Sequence, residues 1–154
     1  MKQRGRLFVA LAALAILGAG CGSGLEVIHG SPRATPTDFA GLTKRFASHN
    51  LVVDRVVSGD AGCTDLGLAP MAISFTIAGP GESSPLPARI YRFRNDESYT
   101  KLRATVDTCA AEWVTNPAGL LMIDASPYVL VMEGVTDQSF IDALRTSLHE
   151  AAGN

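Results

Sequence analysis

Residues 36–154 of this 154-residue chain are predicted to form one α+β domain, a mostly antiparallel sheet of about five strands with helices packed on one face. Three observations carry that reading. Apolar residues recur at helical spacing in three separate segments. Runs that are β-branched or alternate apolar with polar fill the stretches between those segments. Short turn-rich connections join neighbouring runs, which favours hairpins over crossovers.

The elements follow in the order α-β-β-β-α-β-β-α. Thr35 can cap the first helix, Pro36 suits its first turn, and Phe39, Leu42 and Phe46 share one face. His49-Asn50 ends it, and Leu51 to Val57 reads as a strand. Residues 58–70 are turn-rich and hold Cys63. Met71, Ile73, Phe75 and Ile77 then alternate with Ala72, Ser74, Thr76 and Ala78, the period of a strand with one apolar face. Gly79 to Pro87 reads as a loop, and Arg89 to Phe93 as the third strand. Asn95 caps the second helix, with Asp96 and Glu97 where the helix dipole favours acids. Tyr99, Leu102, Val106 and Cys109 form its apolar stripe, and Asn116-Pro117 stops it. Leu120 to Ile123 and Tyr128 to Met132 are strands joined by Asp124-Ala125-Ser126-Pro127, a hairpin signal. Thr136 caps a last helix whose apolar face is Phe140, Ile141, Leu144 and Leu148.

Ahead of the domain, residues 1–20 have the grammar of an export signal. Lys2, Arg4 and Arg6 precede an uncharged apolar run from Leu7 to Gly20, which is short of the roughly 20 residues a membrane span needs. Leu17-Gly18-Ala19-Gly20-Cys21 resembles the bacterial lipobox, which implies cleavage before Cys21 and a lipid on that cysteine. Residues 21–35 read as a tether rich in Gly and Ser, reaching at most roughly 50 Å, with Leu25, Val27 and Ile28 as a short edge strand. Lipidation of Cys21 leaves Cys63 and Cys109, and an oxidising compartment favours pairing them. A bridge over that loop stabilises by about 4 kcal/mol in the chain-entropy model.

Ala88 to Phe93 running into Asn95-Asp96-Glu97, and Pro127 to Gly134 running into the closing helix, join the lipobox in one pattern. Together they resemble a group of small, uncharacterised bacterial lipoproteins over residues 37–151. The resemblance implies the fold and the address and brings no activity with it.

Charge and motifs narrow the chemistry. The leader takes three of the 13 basic residues and none of the 15 acidic ones, so the remainder carries a formal charge of −5. That argues against nucleic acid as a partner. His29, His49 and His149 lack a second ligand at metal spacing, no Gly-x-Ser-x-Gly elbow is present, and the Gly79 to Ser84 stretch lacks the lysine of a phosphate loop. Asp60 and Asp65 flank Gly62-Cys63 without a calcium-loop series, and Trp113 and Tyr128 read as core before binding surface. No cofactor or metal is expected. The expectation is a lipid-anchored, non-catalytic accessory on the extracytoplasmic face of a membrane, binding an envelope protein or a small ligand. Two alternatives stand beside it: a hydrolase-like enzyme assembled from distant residues, and an inhibitor-like module using the Cys63 loop.

Overall fold

A computed structural model describes residues 37–153. The leader, Cys21, the tether with Leu25, Val27, Ile28 and His29, and the expected Thr35-Pro36 helix start lie outside the described residues. The described chain runs α1 (Phe39–Ser48), β1 (Val52–Ser58), β2 (Ala72–Gly79), β3 (Glu82–Arg92), α2 (Asp96–Trp113), β4 (Leu120–Ala125), β5 (Tyr128–Glu133) and α3 (Gln138–Ala152). The five strands form one sheet in the order β1-β2-β3-β5-β4, antiparallel at every pairing. Class, strand number and element order are those the sequence predicts.

The helices, however, occupy both faces of the sheet. α1 and α3 bury Leu42, Phe46, Phe140, Leu144 and Leu148 against Phe75, Ile77, Ile90, Leu130 and Met132. α2 lies opposite, packing Val106, Cys109 and Ala110 on Ala72, Tyr91, Val129 and Val131. The reason is legible in β5, whose first five residues are all buried. Alternate side chains of a strand point to opposite faces, so an unbroken apolar run needs cover on both sides.

A second correction concerns residues 82–87. They belong to β3, paired with β2 from Gly79↔Glu82 through Ile77↔Leu86 and Thr76↔Pro87. The turn is tight because Gly81 adopts φ +73°, open to glycine at no steric cost. Pro85 and Pro87 are tolerated because β5 pairs with β3 only from Ala88 onward. Up to that point β3 has one neighbour among the described residues, and a missing N–H on its other side costs no ladder bond there.

Carboxylates cap two of the three helices, and an amide caps the third. α1 is capped by Asp38, which accepts from the Gly41 N–H at 2.7 Å. Thr37, just ahead of the cap, serves as a clasp: its N–H donates to the Ala151 carbonyl at 2.9 Å, and its carbonyl accepts from the Tyr128 hydroxyl. Asn95 caps α2 as expected, accepting from Ser98 N–H at 2.8 Å. α3 is capped by Asp137 rather than Thr136, with the Phe140 N–H as donor at 3.0 Å. A carboxylate one residue nearer the helix outcompetes the hydroxyl.

Candidate functional site

Between β1 and β2 the chain makes a long excursion, residues 59–71, whose base is fixed on three sides. The Gly59 N–H donates to Ala72 carbonyl at 2.9 Å, holding the loop's start to its end. The expected bridge between Cys63 and Cys109 is present, with Cα atoms 5.1 Å apart, inside the usual range for a disulfide. Because Cys109 sits on the buried stripe of α2, the bridge pins the loop to that helix. Glu112, one turn on, accepts from the Thr64 N–H at 2.9 Å and from its hydroxyl at 3.3 Å.

The floor under the loop is built by β3. Tyr91 is fully buried and its hydroxyl donates to the Ala61 carbonyl at 2.7 Å. Burial pushes its phenol above the ordinary value. Two residues earlier, Arg89 places its guanidinium 4.4 Å from the centroid of the Trp113 ring and donates to Asp60 at 3.2 Å. A cation over an indole face is attracted by the ring quadrupole, more strongly as water is excluded; the Arg89 side chain is 18% exposed. Asp60 also accepts from the Gly62 N–H at 3.0 Å. Burial raises the Asp60 carboxyl, but Ser74, the Arg89 charge and the Gly62 N–H together outweigh it and hold the group below its ordinary value. Gly62, at φ +76°, is the joint of this cluster: a Cβ there would meet Arg89 Cζ and Trp113 Cδ1 at 2.7 Å each.

What the loop presents outward is different in kind. Leu66 is 83% exposed, the most exposed large apolar side chain among the described residues. Beside it lies an open concavity of about 450 Å³, lined by Asp60, Cys63, Thr64, Asp65, Leu66 and Glu112 among others. Its carboxylates are committed locally: Asp60 to Arg89, Glu112 to Thr64, and Asp65 to the Gly67 N–H at 2.7 Å. Among the described residues no group of three or more His, Cys, Asp or Glu could hold a metal ion.

The remaining sequence candidates fall apart in space or into structural roles. His49 Nε2 lies 3.2 Å from Glu150, joining α1 to α3. The neighbouring Ser48 hydroxyl donates to the Arg45 carbonyl at 2.7 Å, so no serine–histidine hydrogen bond forms there. His149 stands in the last turn of α3. Tyr128 is fully buried, and Asp96 accepts from the Ser126 hydroxyl at 2.6 Å. The Gly79 to Ser84 stretch is the end of β2, the Pro80-Gly81 turn and the first residues of β3. A network absent from the sequence reading clamps α2 to β4. Arg103 ion-pairs with Asp124 and with Asp107 at 2.5 Å, and the Tyr99 hydroxyl donates to Asp124 at 2.9 Å. Burial raises the Asp124 carboxyl, but hydrogen bonds from Arg103 and Tyr99 prevail and hold it low.

Compared with protein-family models, curated proteins and solved structures, the chain finds no match.

Proposed function

We propose that this chain is a bacterial lipoprotein precursor, cut before Cys21, whose domain is a non-catalytic accessory at the extracytoplasmic face of a membrane. Its binding element is the Cys63 loop, and its occupant an envelope protein or a small ligand. The address rests on the charged start, the apolar run and the lipobox-like Leu17 to Cys21, together with the resemblance to small bacterial lipoproteins.

Leu66 is the observation that supports binding. An apolar side chain left in water on a loop fixed by a disulfide, an ion pair and a buried hydroxyl is already ordered. Association there recovers apolar burial at little further cost in loop entropy. The exposure of Leu66 on the same loop also favours the inhibitor-like alternative, insertion into a partner's cleft.

The address is tested by the intact mass of protein extracted from native membranes: a start at Cys21 carrying acyl mass is expected, and an unlipidated soluble chain would refute it. For binding, a photoreactive residue is placed at position 66 or at position 146 of the full chain in those membranes. An adduct of defined mass at 66 and none at 146 is expected. Silence at 66, or equal labelling at both, would remove the loop from the proposal. A one-to-one adduct with an enzyme would select the inhibitor-like reading. Turnover by the purified protein in a broad hydrolase screen would overturn its non-catalytic character.

A further inference from the structure

β1 is an edge strand, and its outer side carries no neighbour among the described residues. An edge offers a row of unpaired N–H and C=O groups to any strand that can match it. This one is also apolar where it meets water: Val52 is 67% exposed, Val56 48% and Val57 53%. We infer that the occupant of this edge is β1 of a second copy of the chain, paired antiparallel about a two-fold axis between Asp54 and Arg55.

The argument begins with the residues, Val52-Val53-Asp54-Arg55-Val56-Val57. Laid antiparallel on itself, this segment sets Val52 opposite Val57, Val53 opposite Val56, and Asp54 opposite Arg55, each pair twice. Charge is thereby matched at the centre and β-branched surface on both flanks, the pairings that stabilise a sheet. Shifting one copy by a single residue sets Arg55 against Arg55 or Asp54 against Asp54.

A regular strand could not adopt that register. Two-fold pairing keeps each residue on its own face, and residues an odd number apart, such as 52 and 57, point to opposite faces of a regular strand. β1 is not regular. It pairs Val52↔Ala78, Asp54↔Thr76 and then Val57↔Ser74, with one extra residue between Asp54 and Val57. Arg55 takes φ +54° at that bulge. The extra residue returns Val57 to the face of Val52, since Ala78, Thr76 and Ser74 alternate along β2. A lone bulge protects an edge by breaking its match to a regular strand. Both copies carry the same extra residue, so a register closed to a regular strand is open to a second copy. An isologous pair of this kind ends the association at a dimer and joins the two sheets into one of ten strands.

The test is sedimentation equilibrium of the full chain in mild detergent, as wild type, Asp54→Arg, Arg55→Asp and the double exchange. The positions are exposed, and Asp tolerates the left-handed conformation required at 55. A dimer is expected for the wild type. Each single exchange turns two attractive pairs into repulsive ones and should weaken association about thirtyfold. The double exchange should recover the wild-type constant within about threefold, because it restores both pairs with their signs reversed. A monomeric wild type, a dimer indifferent to the single exchanges, or a double exchange that fails to recover would each overturn the inference.

Discussion

Replacing Gly62 by alanine loads the joint under the Cys63 loop in two separable ways. The backbone there has φ +76°, and an L side chain in that region costs about 1 kcal/mol. The new Cβ would also meet Arg89 Nε and Cζ and Trp113 Cδ1, so the guanidinium must leave its seat between the indole and Asp60. Losing a partly buried cation–π contact costs about 1 kcal/mol, and loosening a half-exposed ion pair up to about 1 more. The total is about 3 kcal/mol. Gly59 supplies the control, because it has φ +85° and a Cβ there meets nothing within 4 Å. Gly59→Ala carries the backbone cost alone, about 1 kcal/mol. Thermal unfolding at neutral pH under oxidising conditions should therefore separate the two variants by about 2 kcal/mol, or about 8 °C in Tm for a domain of this size. Equal costs within about 0.5 kcal/mol would show that the Arg89–Trp113–Asp60 packing contributes nothing, and the account of the loop's floor would fall.

Removing the bridge by Cys63→Ser with Cys109→Ser should cost about 4 kcal/mol, read as a lower denaturant midpoint; an unchanged midpoint would mean the loop is held without it. Asp60 and Asp124 have carboxyls held below their ordinary values, so the unfolded chain binds their protons more readily than the folded one. Their contribution is complete above the ordinary carboxylate pKa, roughly 4, and is lost as pH falls through the lower folded values. Asp60→Asn should accordingly destabilise at pH 7 and converge with wild type in strong acid; a gap constant with pH would contradict this. Phe75→Ala, which removes the ring tilted against Phe39 and Phe46 at centroid separations of 5.8 and 6.2 Å, should cost about 3–5 kcal/mol. Leu66→Asp should stay within about 0.5 kcal/mol of wild type, as suits an exposed side chain with no structural task.

Periodicity made the helices and most strands legible, because the stripe of α2 and the alternation of β2 are local patterns with a fixed period. The disulfide was legible by elimination among three cysteines and by the place of Cys109 on a buried stripe. The two-sided packing was present in the unbroken run Tyr128 to Met132 but went unread, since a short apolar run fits a one-sided hairpin equally well. Residues 82–87 read as a loop because proline weighs against a strand, and it takes the strand order to show that β3 has no second neighbour there among the described residues. The Arg89–Asp60–Trp113 cluster could not be read at all. Its members come from three elements and meet only after the sheet has formed.

The covalent staple also decides how the domain would respond to being pulled. Tension entering before Thr37 meets the clasp to Ala151 and Tyr128 first, then α1, then β1, an edge strand that can be unzipped one bond at a time. At Cys63 the path of force changes. It crosses the sulfur bridge to Cys109 and bypasses the chain between them, a sequence separation of 46 that takes in β2, β3 and most of α2. About 150 Å of contour length is thereby sheltered. A stretched molecule would lengthen only from its two flanks, with the middle of the sheet withheld until the bridge is reduced.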